Sequence, residues 1–419
     1  MAHKKQKTNC SIGNQQQGFT LVEFMVASVL GLVVIAGAGS LYSYTKRLND
    51  IGRARVAMLQ DLRSAAAMIG QDARSAGTFG CASLGRRHAP DTDAIDATVG
   101  VNVVEGSSGI NNKAVGLNAL DTALVSAPSS GALEPAGPSA GVRWITQGNV
   151  SAALNSPANF TAKSGALLFT YGEGSLPWND SSTLDTVQFN LDNRSQNKVV
   201  ESIYNKGGYV VAAGCNALQV AYVAPGTTTA SITLDGDAKA KAAMFNDASV
   251  TAPAGITEID RNQDMILQRY KVVAYVVGEL ENGGNPVPDS EGLYRFEFGA
   301  DGENWSAPQQ LATNVSNMTA QYLFVTECPS ALIPAGGAGA VNDQNYELMD
   351  AQNAVFGAAK EEAAGVYQGP ASIHLKLTYR FPRIRGGSIS SGDDTNHIFD
   401  IVATVRGGNV CASRKLANQ

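Results

Sequence analysis

From Phe19 to Tyr42 the chain runs for 24 residues with a single charged side chain, Glu23. A stretch of that length and character has few places to go. A helix of about 20 apolar residues crosses a bilayer, because each residue rises 1.5 Å. The run is also far longer than a buried strand. It predicts a transmembrane helix over residues 19–44. Residues 1–18 ahead of it are polar and carry Lys4, Lys5 and Lys7 without an acid. Lysines on that side predict that the N-terminus stays cytoplasmic and the bulk of the chain is exported.

The helical pattern continues past the apolar run. Leu48, Ile51, Met58, Leu59, Leu62, Ala65, Ala66, Ile69, Ala73 and Ala76 recur at three- and four-residue steps, while Arg53, Asp61, Arg63, Asp72 and Arg74 take other faces. An amphipathic stalk over 45–77 is expected, closed by Gly77 as its C-cap. A helix over 19–76 would be about 87 Å long. One small domain cannot cover that length, so half of it is expected to protrude and serve assembly. Gly31, Gly37 and Gly39 lower helix propensity inside the span. They permit either bending or close helix packing, and both readings stay open.

An ordinary secretory signal is cut after its apolar run. Here no small-residue site follows Tyr42, and the break in character lies before the run, at Gly18-Phe19. The stretch Gly18-Phe19-Thr20-Leu21-Val22-Glu23 resembles the class III leader of type IV prepilins. The resemblance implies that residues 1–18 are a leader, that a prepilin peptidase cuts after Gly18, and that Phe19 becomes N-methylated. It also implies a role for Glu23. A carboxylate inside an apolar span is costly without a partner. In pilins the equivalent acid pairs with the N-terminal amine of a neighbouring subunit, so that two groups each costly alone neutralise one another.

Residues 78–419 read as an exported β-rich domain with short strand-like runs between Gly, Pro, Asn, Asp and Ser. Expected strands are Thr122–Ser126, Val142–Ile145, Ala166–Tyr171, Thr186–Asn190, Tyr209–Ala213, Leu218–Val223, Gln268–Gly278, Leu293–Phe298, Met318–Val325, Ile373–Phe381 and Phe399–Arg406. Segments 225–265 and 330–370, rich in Ala, Gly, Thr and Asp, read as large loop insertions, with a helix at Asn345–Ala359. Once the leader is removed four cysteines remain: Cys81, Cys215, Cys328 and Cys411. None has metal-site spacing, and in an exported chain an even set predicts two disulfides, with three connectivities open. The position of Cys81 beside the helix end and of Cys411 in the tail favours Cys81–Cys215 and Cys328–Cys411.

A second, more diffuse resemblance covers both ends and the middle of the domain. The stretch from Asp72-Ala73-Arg74-Ser75-Ala76-Gly77 to Gly80-Cys81 is similar to the helix-end motif of PilW-type minor pilins. Gly292-Leu293-Tyr294-Arg295, Gln309–Val315 and Met318–Tyr322 follow in the order of that family, and Phe399–Arg406 resembles its last strand. What this implies is an α+β, type IV pilin-like fold. A long N-terminal helix packs on an antiparallel sheet domain, in a minor pilin that primes pilus assembly at or near the tip. The implied partners are the prepilin peptidase, other minor pilins, the major pilin and a large tip adhesin. The implied location is the inner membrane before assembly and the cell surface after it. Adhesion and twitching motility are the activities of such filaments. Two alternatives remain: a minor pseudopilin of a type II secretion system, and a periplasmic enzyme or binding protein on a pilin-like anchor.

No catalytic pattern supports the last of these. Walker A, HExxH and GxSxG motifs are absent from the sequence. His3, His88, His374 and His397 are scattered, and Asp235-Gly236-Asp237, Asp260–Asp264 and Asp301-Gly302-Glu303 lack calcium-loop spacing. Arg383-Ile384-Arg385 is a small basic spot. No enzyme activity, cofactor or metal is expected. Without the three leader lysines, 28 of the 31 basic residues remain against 37 acids, so the rest carries −9, the wrong footprint for a nucleic-acid binder.

Overall fold

A computed structural model of the full chain describes residues 20–80, 82–83, 86–88, 102–104, 141–148, 150, 159–177, 186–192, 198–214, 217–233, 265–298, 305–325, 346–350, 366–368, 370–381 and 395–405. Helix α1 (Leu21–Ser75) is unbroken for 55 residues, about 82 Å at 1.5 Å per residue. The helical assignment continues without a break through Gly31, Gly37 and Gly39. The chain divides into two compact units, residues 1–56 and 57–419, so the last turns of α1 belong to the second.

The strands follow in order. The first are β1 (Thr78–Phe79), β2 (Ala82–Ser83), β3 (Arg86–His88), β4 (Asn102–Val104), β5 (Val142–Ile145), β6 (Phe160–Pro177) and β7 (Thr186–Asn190). A short amphipathic helix α2 (Lys198–Lys206) buries Val200 and Ile203. Then come β8 (Gly208–Ala213), β9 (Ala217–Val223), β10 (Thr229–Thr233), β11 (Ile266–Asn282), β12 (Asn285–Pro286) and β13 (Gly292–Phe298). The last are β14 (Gln309–Thr313), β15 (Val315–Val325), β16 (Tyr346–Asp350), β17 (Val366–Gln368), β18 (Ser372–Tyr379) and β19 (His397–Thr404).

Strand β11 organises the larger sheet. One edge pairs with β6 from Ile266 to Leu280; the other pairs with β8 over Ile266–Arg269 and with β13 over Val272–Gly278. Its run Val272-Val273-Ala274-Tyr275-Val276-Val277 is apolar without alternation because both faces are buried. Val273, Tyr275 and Val277 meet the core that holds α1, while Val272, Ala274 and Val276 meet a second core around Phe160, Tyr294 and Phe296. A four-stranded sheet, β16-β15-β18-β19, is antiparallel throughout. Among the described pairs only β4 with β9 is parallel.

Met58, Leu62, Ala65, Ile69 and Ala73 of α1, with Ala76 just after it, fill the first core, against Phe169 and Tyr275 from the larger sheet and Met318, Tyr322 and Leu377 from the four-stranded one. The helix ends at Gly77, whose φ of 71° is the left-handed conformation a C-cap needs. Its N–H donates to the Thr170 carbonyl, and the Thr170 N–H donates to the Gly141 carbonyl, both at 2.8 Å. A Cβ on Gly141 would overlap the Gly77 backbone. Two glycines thus let the helix end lie directly against the sheet.

The architecture is α+β, a long apolar helix followed by antiparallel sheets, as expected of a type IV pilin-like fold. Two local readings are corrected. The first turn of the helix expected at Asn345–Ala359 is strand: Tyr346–Asp350 pairs with Val325–Gln321 of β15. The helix formers Glu347, Leu348 and Met349 yield there to cross-strand pairing. Segment 225–265 is not wholly loop. Thr229–Thr233 pairs with β7 and buries Ala230 and Ile232 while exposing Thr229, Ser231 and Thr233. Thr122–Ser126 lies outside the described residues.

Candidate assembly interface

The first turn of α1 is built by a capping box. Thr20 precedes the helix, and its Oγ1 accepts a 3.3 Å hydrogen bond from the Glu23 N–H. Glu23 Oε2 in return accepts from the Thr20 N–H and Oγ1–H, both at 3.1 Å. Reciprocal satisfaction of these donors is the capping-box logic of Thr-x-x-Glu. The carboxylate also sits where the helix dipole favours an anion. Glu23 therefore has a local reason to be present, besides any partner that offsets its cost in an apolar span. The signal was in the sequence as Thr20-Leu21-Val22-Glu23 ahead of an apolar run. The cap fixes the orientation of the Glu23 side chain at the helix start. Gly18 and Phe19 lie outside the described residues.

Behind the cap the helix is apolar and, among the described residues, exposed for several turns. Leu21 is 74%, Phe24 71% and Ile35 70% exposed, and the first buried side chain of α1 is Met58. Among the described residues, nothing beyond the neighbouring turns of the helix backbone lies within 4 Å of a Cβ placed at Gly31, Gly37 or Gly39. The segment is long and apolar enough to cross a membrane.

At the other end, α1 is fixed to the sheet by a buried polar network. Asp72 points inward from the last turns of the helix. Its Oδ1 accepts from the Tyr171 hydroxyl of β6 at 2.8 Å, and its Oδ2 accepts from the Tyr275 hydroxyl of β11 at 2.5 Å. Arg295 of β13 brings its Nε to 3.6 Å of Oδ2. The network continues outward. Arg295 meets Glu297, Glu297 meets Arg269 and Lys271, and both cations meet Glu173. Among the described residues, three cations and three carboxylates balance, which a sheltered network requires. Burial, reinforced by the Asp72 charge, pushes the Tyr171 and Tyr275 phenols above the ordinary tyrosine value. A raised folded-state value means stability is intact below the unfolded tyrosine value of about 10 and is lost as pH rises beyond it. Both hydroxyls therefore stay donors at neutral pH.

Asp72 lies in the helix-end stretch and Arg295 in the Gly292–Arg295 stretch noted in the sequence, and the fold brings these two side chains together. Other candidates remain apart or out of view. His374 faces Val402, five residues along β19 from His397, a separation of about 17 Å. Cys81, Cys215, Cys328 and Cys411 all lie outside the described residues.

Residues 13–39 match the family model described as the prokaryotic N-terminal methylation motif. The matched span holds the Gly18-Phe19 junction, the Thr20–Glu23 cap and most of the apolar run. No curated protein matches this chain, and no solved structure does. Motif and helix together support a type IV pilin-like protein, either a pilin or a pseudopilin. Such a motif implies processing by prepilin peptidase and assembly with other pilins, and it fits an inner-membrane anchor.

Proposed function

We propose that the chain is a minor pilin of a type IV pilus, a structural subunit rather than an enzyme. A prepilin peptidase removes residues 1–18, and Phe19 becomes the methylated N-terminus. The subunit waits in the inner membrane with its β-rich domain in the periplasm. It then enters a filament with other minor pilins and the major pilin and reaches the cell surface. Two disulfides among Cys81, Cys215, Cys328 and Cys411 belong to the same reading.

The observation that carries it is the methylation motif at residues 13–39 leading directly into an exposed apolar helix. That surface has the membrane as its first solvent and the helices of other subunits as its second. The unfilled space around Gly31, Gly37 and Gly39 permits close helix approach in the filament. A tip position follows from bulk. The second unit spans residues 57–419, and a domain of that size is hard to repeat at every step of a thin fibre. It fits where nothing need stack above it. A filament that grows from the membrane assembles its tip first, so a tip subunit is a primer.

Deleting the gene is expected to reduce the number of surface pili severely, leaving the length of those that form and the processing of the major pilin unchanged. Electron microscopy of the deletion strain counts them. Normal pilus numbers with lost protein secretion would favour a minor pseudopilin of a type II secretion system. Normal numbers and normal secretion would count against both.

A further inference from the structure

Where α1 leaves its apolar segment, the side chains change in a definite order. Tyr42 and Tyr44 come first, 71% and 62% exposed. Lys46, Arg47 and Arg53 follow, all exposed, with Asp50 the one acid between Glu23 and Asp61. Among the described residues, the side chains of Lys46, Arg47, Asp50 and Arg53 make no ion pair or hydrogen bond. Arg55, next along, is half-buried and engaged elsewhere.

The spacing places this order against a bilayer. Tyr42 lies 21 residues beyond Leu21, about 32 Å along the helix, close to the hydrocarbon thickness of about 30 Å. Tyrosines at that depth sit among headgroups, as aromatic belts do. Lys46 and Arg47 lie roughly 6 to 8 Å further out, at the level of the phosphates. Arg53 lies about 16 Å out, where its long side chain reaches back toward the surface. The charges also run against topology. Basic residues flanking a span on the translocated side oppose the orientation set by Lys4, Lys5 and Lys7. Cations that carry such a cost and have no partner among the described residues call for an external anion.

We propose that Tyr42, Tyr44, Lys46, Arg47 and Arg53 form an interfacial site for the phosphate groups of anionic phospholipids in the exported leaflet, holding the unassembled subunit at fixed depth. The site rests on the membrane-anchored pilin reading. Lys46 and Arg47 contact the headgroups, and Arg53 adds to the attraction within about a Debye length of 8 Å. Its competitor is a carboxylate-bearing face of a neighbouring subunit. Depth and the tyrosine pair favour lipid, since a protein contact requires neither.

The test uses the full chain with K4Q, K5Q and K7Q in every arm, so that leader charges do not contribute. It is reconstituted in vesicles of phosphatidylcholine with phosphatidylglycerol, and its association with spin-labelled forms of the two lipids is compared. The account expects a preference for phosphatidylglycerol of roughly fivefold or more, weakened by salt and removed by K46Q, R47Q and R53Q together. Equal association of both lipids, or an unchanged preference in the triple variant, overturns the site. A triple variant that keeps its lipid preference yet enters filaments poorly assigns the charges to a neighbouring subunit, and also overturns it. Carbonate extraction keeps the two levels apart: a chain that never inserts refutes the membrane anchor itself, whereas a chain that inserts without lipid preference refutes only the site.

Discussion

Asp72→Ala is expected to destabilise the domain by about 3 kcal/mol, the lower end of the range for removing one partner of a buried ion pair. The substitution takes the acceptor from two tyrosine hydroxyls and leaves Arg295 beside the core. Arg295 keeps Glu297 at 3.4 Å, which is why the lower end applies. The cost of a buried donor left without an acceptor, about 1–3 kcal/mol, is contained in that loss of about 3 kcal/mol. Asp72→Asn keeps the shape and one acceptor, so it is expected to cost roughly half as much. The informative comparison is the double variant Asp72→Asn with Arg295→Gln. Two groups in direct contact couple, so its cost should fall short of the sum of the singles by about 1 kcal/mol or more. Denaturant unfolding of the four proteins measures this. A loss below about 1 kcal/mol for Asp72→Ala, or additive singles, would show that the network does not fix the helix to the sheet.

The second large effect is in assembly. Glu23 serves a cap within its own chain and, in the pilin reading, a charge pair with a neighbour's N-terminal amine. One substitution separates the two roles. Glutamine is accepted in a capping box, so Glu23→Gln retains the helix start. It cannot neutralise an ammonium group. Glu23→Gln and Glu23→Ala are therefore expected to be processed and inserted normally. Both should enter filaments at least about tenfold less than wild type, the factor that 1.4 kcal/mol produces. Quantitative blotting of sheared filaments against whole cells reads the ratio. Wild-type incorporation of Glu23→Gln would leave the cap as the whole function of this residue.

The helix was almost entirely legible before the structure. An apolar run over 19–42 followed by a three- and four-residue stripe from Leu48 to Ala76 becomes Leu21–Ser75, and Gly77 takes the positive φ expected of a cap. Strands with continuous apolar runs or clear alternation, such as β11 and β18, were equally plain. What failed did so for identifiable reasons. Tyr346–Asp350 has helix-forming side chains, and only its partner β15 makes it a strand. Thr229–Thr233 alternates correctly, but a five-residue run in an Ala- and Thr-rich stretch gives little to weigh. Helix α2 is nine residues long, too short for periodicity to stand out.

The site divides along the same line. Glu23 and its neighbours are contiguous, so their chemistry could be read directly, although the Thr20 cap was passed over. The Asp72 network could not be read that way. Asp72 and Tyr275 are 203 residues apart in sequence, and neither is conspicuous alone. Pairing across such a distance is a property of the sheet register, which sets β6, β11 and β13 side by side under the helix end. Local pattern carries no information about that register beyond which face of each strand is buried.

The central claim is that this chain is a processed filament subunit, and mass spectrometry of filaments sheared from cells tests it most directly. The account predicts that the chain is recovered in amounts far below the major pilin, and that its first residue is N-methylated Phe19 with residues 1–18 gone. A chain absent from filaments, or one whose N-terminus lies beyond Tyr42, would contradict it.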